Sequence, residues 1–478
     1  MPRSSSEWGP YDPNCEVALV VGAGPAGLLC ARVLASRGYM VNVFEKTPDP
    51  EEKAPRSWPL LLGERALIAL ENEGIDLVAS GKGVPVKGFA MMGSKGAKRV
   101  MAYSGKRDKV VVDRSELMDA IRSAKLVSAE AAPLSVHYNS KYVGIDANEN
   151  FIKFEGDALP YKGTPWSLLV AADGERSAVR ADLEEKQDFL WAHEGISRDF
   201  CQVSVPANVA PELPRDQVVV FASGGGVQLI LAPTPDGSFR GVLVLPTKGG
   251  SSFAALKGMD KRQGDAFVDR RMPGARAVLD AAYGGDFHGF VSEAAVFNGG
   301  ISTICKRMHS ERGRVMLLGD AAHSMSSSLG QGCNAALEDV TVLDQILCTG
   351  LVAKYIPREF SSRRLPDASA IVALSMNAFP TTVPGFTLFV MQSFALQLFH
   401  KYIPNFPLPT RSYVQTLAPY RKVWNRRKWE NRLFEAILLA TVAGPLGVAV
   451  LRKSPKVSGI LFAAVGAGFA RLLAQPTK

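Results

Sequence analysis

The chain has 478 residues, 47% of them apolar and 21% charged, which suits a globular protein too long for one core and argues against a disordered or polytopic membrane chain. Its net charge of +9 is local: from Lys401 to Lys478 there are 13 Lys and Arg against 2 acids, so everything before Lys401 sums to −2. These cations alternate with apolar runs and form no nucleic-acid recognition motif, which argues against a nucleic-acid partner and for a membrane surface.

The lead-in MPRSSSEWGPYDPNCE carries acids and no apolar run, so it reads as a disordered segment rather than a secretory or transit peptide. The six cysteines (Cys15, Cys30, Cys201, Cys305, Cys333 and Cys348) are scattered without a CxxC pair. That spacing suits a reducing compartment and no metal site or disulfide framework.

In EVALVVGAGPAGLLCARVLASRGYMVNVFEK a buried-strand run, Val17 to Val21, turns through glycines into an apolar-periodic helix ending near Ser36. A second strand, Val41 to Phe44, ends at Glu45, with Lys46 beside it. Gly22 permits the tight turn, Gly24 lets a backbone approach a pyrophosphate, and Gly27, next to Ala26, permits close helix–strand packing. Glu45 is placed to accept hydrogen bonds from a ribose, and the helix N-terminus faces the anion.

Short alternating segments follow from Val84 to Val112, and clearer ones from Asp199 to Leu245, where QVVVFA, GVQLILA and RGVLVL are separated by Gly, Pro and Asp. They predict a separate antiparallel sheet. WSLLVAADGERSAVR and RVMLLGDAAH are hydrophobic strands ending at Asp173 and Asp320, which return the chain to the first sheet. After Leu351 the pattern is helical, punctuated by Pro357, Pro366, Pro380 and Pro384.

Together GAGPAG, VVVDRSEL, ADGERSAVR, GDAAH and GQGCNAALED resemble the characteristic segments of FAD-dependent aromatic hydroxylases, the single-component flavoprotein monooxygenases. The resemblance implies an α/β fold in which a Rossmann-like FAD-binding domain (1–75, 105–185, 305–350) is interleaved with an antiparallel sheet domain for substrate (76–104, 186–304). A helical region (351–433) and a hydrophobic tail (434–478) complete the expected order. It places FAD against Gly22, Gly24, Ala26, Gly27, Glu45, Lys46, Arg114, Asp173, Asp320, Gly330, Gln331, Gly332, Cys333 and Asn334. Asp320 would take a ribityl hydroxyl or serve as a helix cap, and Arg114 would meet the ribityl or pyrophosphate region. The backbone N–H groups of Gly332, Cys333 and Asn334 would stabilise negative charge on reduced flavin. His323 reads as a packed structural histidine, and no side chain is assigned a catalytic role because the chemistry belongs to the cofactor. In the family NAD(P)H reduces FAD, oxygen adds to flavin C4a, and the hydroperoxide transfers an oxygen atom to an electron-rich ring.

FSSRRLPDASAIVALSMNAF, RSWPLLLGERALIALENEGI and KYIPNFPLPTRSYVQTLAPY extend the resemblance to the kynurenine 3-monooxygenases. That family grips a substrate carboxylate with an Arg, a Tyr, an Asn and a later Tyr. Here Tyr103 retains the first Tyr, whereas Phe89, Ala378 and Pro409 stand at the other three positions; a slip of one or two residues would bring Lys87 or Asn377 in instead. Phe cannot replace a bidentate Arg–carboxylate contact, so the expected substrate is less anionic and more apolar than kynurenine. Rival readings are a flavin-dependent reductase or epoxidase acting on an isoprenoid or lipid, and a non-catalytic membrane flavoprotein.

AILLATVAGPLGVAVL and VSGILFAAVGAGFARLL are each shorter than the ~20 residues of a spanning helix. Flanking cations favour a hairpin or monotopic anchor over two buried helices, at an intracellular organelle membrane, mitochondrial or endoplasmic reticulum. PGFTLFVMQSFALQLFHKYIP reads either as a roof over the cavity or as core, and Arg426, Arg427 and Lys428 as a solvated face suited to anionic headgroups.

Overall fold

The computed structural model describes residues 16–50, 59–93, 98–146, 148–149, 151–156, 166–186, 191–209, 211–224, 226–378 and 383–451. The lead-in and the second apolar run of the tail lie outside them. A five-stranded parallel sheet runs in the order Val315–Leu317, Leu168–Ala171, Val17–Val21, Met40–Phe44, Leu134–His137, with uninterrupted aliphatic runs in its first three strands and a partly exposed strand, Leu134–His137, at its edge. Every residue of Val17–Val21, Leu168–Ala171 and Val315–Leu317 is buried. The strand before Asp173 therefore lies beside the glycine-loop strand and the strand before Asp320 lies beside that one, all three parallel, so that their C-terminal ends share one edge of the sheet.

A seven-stranded sheet forms the second body, in the order Val296–Asn298, Arg198–Val205, Phe239–Pro246, Val227–Pro233, Gln217–Gly224, Gly88–Met92, Lys98–Ala102. Its pairings are antiparallel except one. Gln217–Phe221 runs parallel to Gly88–Met92 because these strands come from separate excursions of the chain rather than a shared hairpin. Four helices between Phe253 and Glu293 cover one side of it, burying Phe253, Phe267, Met272, Leu279 and Phe287. A small sheet of Pro59–Leu62, Lys109–Asp113 and Gly83–Val86 lies between the two bodies in sequence. Asp113 at its end forms an ion pair with Arg240 of the large sheet.

The C-terminal region is helical: Ile356–Met376, Val383–Tyr402, Thr410–Tyr413 and Tyr420–Leu451. Pro366 sits inside the first of these. The apolar run from Ala436 to Leu451 is the last half of the long final helix rather than a separate element. Among the described residues no helix is long and apolar enough to cross a membrane.

Buried charge joins these helices to the parallel sheet. Asp339, fully buried, accepts from the Gly319 amide at 2.8 Å and meets His323 Nε2 at 2.7 Å, while its other oxygen accepts from Arg364. Arg364 also pairs with Glu338 at 2.7 Å and donates to the Ala335 carbonyl at 3.0 Å. Arg65 reaches the same Glu338, donates to the carbonyls of Thr416 and Ala418, and stacks 4.2 Å from the ring centroid of buried Tyr420. Tyr420 in turn donates to Gln331 at 2.8 Å. Burial alone would push the Asp339 pKa up, but His323, Arg364 and the Gly319 amide outweigh it and hold the carboxyl below its ordinary range.

Removing one member of such a network strands the others without solvent. Asp339→Ala is expected to cost ~3–5 kcal/mol in urea unfolding at pH 7, whereas Lys141→Ala, which breaks an exposed pair with Glu155, should cost under about 1 kcal/mol. Because the folded-state pKa of Asp339 lies below the unfolded one, its contribution is present above the unfolded pKa and lost as pH falls through the folded value. The deficit of Asp339→Ala should therefore shrink on acidification.

Candidate active site

The glycine fingerprint is sterically enforced. Gly22 sits at φ +103°, and a β-carbon there would overlap the Ala172 carbonyl; one at Gly27 would overlap the Gly22 carbonyl. The helix that follows, Pro25–Ser36, has no side-chain cap, and proline occupies its first turn. Glu45 closes the loop from the next strand, accepting from the Ala23 amide at 2.8 Å and the Thr47 amide at 2.9 Å. Lys46 beside it is exposed.

The other motifs gather here. A β-carbon on Gly319 would lie 3.6 Å from the Ala26 β-carbon and 3.1 Å from that of Ala336, so the strand end before Asp320 is wedged between two helices. A β-carbon on Gly24 would sit 3.5 Å from the Arg114 guanidinium. Arg114 begins the helix Arg114–Ser123, and among the described residues its guanidinium has no hydrogen-bond partner. Asp320 opens onto solvent-accessible space but is surrounded by protein mass. That burial, with Glu175 and Asp339, raises its pKa against the opposing pull of His323 and Arg114. The same burial, with Asp320, pushes the Cys333 thiol up to about 12, which leaves it an inert neighbour.

The Gly332–Leu347 helix starts without a side-chain cap or an acid in its first turn. Gly330, at φ +61°, ends the short turn Ser327–Leu329 before it. Gln331 and the Asn334 side chain are engaged with protein. Asn334 accepts from the Gly63 amide at 2.6 Å and donates to the carbonyls of Leu61 at 2.9 Å and Gly330 at 2.8 Å. Only their backbone groups remain for a ligand. Asp173 caps the next helix through the amides of Ala178 and Val179, although its backbone lies against Gly22. His323 is buried and bonded to Asp339. Arg180, which sequence reasoning did not single out, donates to the carbonyls of Ala321 and Glu175, both at 2.6 Å, and so ties the ADGER loop to the GDAAH loop.

Phe89 and Tyr103 come together as expected, with ring centroids 6.0 Å apart, in an apolar cluster with Val86, Val111, Val218 and Ala232. Lys87 does not enter this cluster: it is exposed and pairs with Asp216. Ala378 and Asn377 line a small cavity of about 20 Å³ with Leu329, Val414, Arg411 and Arg427. Pro409 precedes the Thr410–Tyr413 helix at its edge. The Ser104 amide donates to Gln415 at 3.4 Å, joining the two groups.

Lys109, beside this cluster, is the charged residue that sequence reasoning missed. It is 6% exposed, its ammonium lies 4.2 Å from the Tyr103 ring centroid, and its stem packs 3.8 Å from where a Gly63 β-carbon would be. Among the described residues it has no carboxylate within ion-pair distance. Burial brings its pKa down to about 8. The signal was a lysine in an inward register of DKVVVDRSEL, flanked by exposed Asp108.

These features fit a dinucleotide. Gly22, Gly24 and Gly27 gather with Glu45 and Arg114, the Gly319–Asp320 turn packs against the same helix at Ala26, and the Gly332–Leu347 helix begins without a side-chain cap. Residues 14–373 match the family model described as FAD binding domain, and the chain belongs to that family. It is an FAD-dependent monooxygenase of the aromatic-hydroxylase type, similar to the kynurenine 3-monooxygenases. The chain is 27% identical over 370 residues to the kynurenine 3-monooxygenase of Myxococcus xanthus, covering 76% of this chain and 77% of that one. It is 27% identical over 436 residues to that of Salinispora tropica, covering 87% and 92%. The fold is also that of 2-methyl-3-hydroxypyridine-5-carboxylic acid oxygenase, with a TM-score of 0.59, 20% identity and coverage of 84% of this chain and 96% of that one. Pseudomonas aeruginosa PqsL in complex with 2-aminobenzoylacetate gives 0.58, 19%, 76% and 95%.

Gly27→Val should yield colourless protein that takes up no FAD on reconstitution, read from the flavin absorbance. Arg114→Met should weaken FAD binding about tenfold or more by removing a phosphate-directed charge. The unpaired Lys109 makes a different prediction. Between its folded pKa near 8 and the ordinary value of about 10.4, the unfolded chain binds more protons, so the burden on stability is greatest below pH 8 and fades above pH 10. Lys109→Met should melt at a higher temperature than the parent at pH 7, with the gap closing as pH rises.

Proposed function

We propose that this enzyme inserts one atom of dioxygen into an aromatic or conjugated, largely apolar substrate, with NAD(P)H as reductant, and that the substrate is not kynurenine. The observation that carries the reading is the continuity of the two sites: Asn334, at the start of the cofactor-facing helix, holds Gly63, and Gly63 packs on Lys109 beneath Tyr103. Bound FAD would supply activation of dioxygen and transfer of one oxygen atom. The N–H groups of Gly332, Cys333 and Asn334 would stabilise negative charge on that group. Asp320, Arg114 and Glu45 would fix its polar arm, and Phe89 with Val86 and Val218 would keep the reacting face dry. Relatives named kynurenine 3-monooxygenase support an aromatic substrate. Phe89, Ala378 and Pro409, where a carboxylate grip is expected, support a different one.

Oxygen uptake and product analysis with a panel of aromatic compounds test this. NAD(P)H-dependent formation of a product containing one added oxygen is expected, with kynurenine binding at least about tenfold more weakly than the favoured compound. Micromolar kynurenine affinity with coupled hydroxylation would refute the substrate assignment, and nucleotide oxidation without oxygenated product would favour a reductase.

The C-terminal region would hold the enzyme at an intracellular organelle membrane. Beyond Arg432 the apolar runs AILLATVAGPLGVAVL and VSGILFAAVGAGFARLL, separated by Arg452, Lys453 and Lys456, suit a monotopic anchor at anionic headgroups. The full chain should sediment with phosphatidylserine-containing vesicles, and a chain ending at Arg432 should lose most of that sedimentation. Undiminished sedimentation of the shortened chain would contradict the anchor.

A further inference from the structure

We propose that Lys109 anchors an acidic oxygen on the aromatic substrate, so that the favoured compounds are phenols or carboxylic acids with an otherwise apolar body. The inference rests on the monooxygenase reading above and assigns the polar end of its substrate. Lysine is rarely buried unless its charge is paired, and Lys109 is buried to all but 6%. Its strand, Lys109–Asp113, is enclosed by Pro59–Leu62 and Gly83–Val86, and opposite Lys109 in register stands Val86. The Tyr103 ring faces the ammonium, and the Lys109 stem lies by Gly63 together with the Asn334 amide oxygen, which already accepts from the Gly63 amide.

The cation–π contact with Tyr103 recovers part of the lost hydration, but a ring face supplies no hydrogen-bond acceptor to the three ammonium donors. Tyr103 is the titratable group facing it, and burial raises the pKa of that phenol, keeping it neutral. Among the described residues no acidic group perturbs Lys109; burial alone shifts it. A ligand oxyanion in contact with the ammonium would complete the charge and favour the protonated lysine. Its position on Tyr103, whose ring pairs with Phe89 of the large sheet, assigns that oxyanion to the substrate rather than to the cofactor. A lysine ammonium is also a compact point charge, suited to a single oxygen where Phe89 has removed any bidentate grip.

The test uses the FAD-loaded full-length enzyme, with changes in flavin absorbance reporting the binding of 2-naphthol, 2-naphthoate and neutral 2-methoxynaphthalene. At pH 7 the parent should bind at least one of the two acidic probes about tenfold or more tighter than the ether, and whichever is favoured tells phenol from carboxylate. Lys109→Met should bring that preference to within about twofold while leaving the ether's affinity and the FAD content unchanged, and Lys109→Arg should retain part of it. For 2-naphthoate, whose charge is constant above pH 6, any preference should fall as pH rises through about 8 in the parent alone. That measurement needs no variant. Equal binding of all three probes by the yellow parent, a preference that survives Lys109→Met, or loss of FAD rather than of probe selectivity in that variant would overturn the assignment. Colourless parent protein would instead overturn the flavoenzyme reading on which it stands.

Discussion

The carboxylate of Asp339 is the constraint on which the rest of the site depends. One oxygen fixes the Gly319 amide and His323; the other is held by Arg364 from the post-cofactor helix. The backbone turn that presents Asp320 is thus set by a charge fully inside the protein, and that charge is tolerable only because every partner is in place. Glu338, one residue earlier, extends the network through Arg65 to Tyr420 and Gln331. A strand end, two helix starts and the C-terminal helices are therefore positioned by one connected set of ionic and hydrogen-bonded contacts. Polar networks of this kind fix a unique arrangement more than they add stability.

A second set of contacts joins the two sheets and the Gly332–Leu347 helix. Asp113 pairs with Arg240 across the two bodies, and Asn334 spends its whole side chain on the Pro59–Leu62 strand and its own loop. The neighbouring strand carries Lys109 against the Tyr103 ring. This arrangement differs from the carboxylate grip implied by the family resemblance in the place of its cation. Phe89 brings no charge from one strand and Lys109 brings one from another, so on the proposed reading affinity for an oxygen would be kept while bidentate geometry is lost.

The parallel sheet and the convergence of GAGPAG, ADGER and GDAAH were legible because local sequence carries their physics. Gly22 and Gly27 stand where any side chain would collide with backbone, and buried parallel strands read as continuous apolar runs. What escaped was long-range. Nothing local to Arg364, Arg65 or Tyr420 says that they meet around Glu338 and Asp339, and nothing in GQGCN says that the Asn334 side chain is spent on Gly63. The parallel pairing of Gln217–Phe221 with Gly88–Met92 depends on which excursion of the chain lands beside which. The helices between Phe253 and Glu293 are a different case, since their start was locally legible: Asp260 and Gln263 form a capping box that the sequence does display.

The central claim is that the two uncapped helix starts, Glu45, Arg114 and Asp320 together hold FAD beside the Tyr103 pocket. An experimental structure of the enzyme with FAD bound tests it most directly. The account predicts the adenosine ribose at Glu45, the pyrophosphate between Gly24 and Arg114, and the flavin ring against the backbone of Gly332 to Asn334 with its open face toward Tyr103. A flavin bound elsewhere, or turned so that its ring lies away from the Gly332–Leu347 helix, would contradict it.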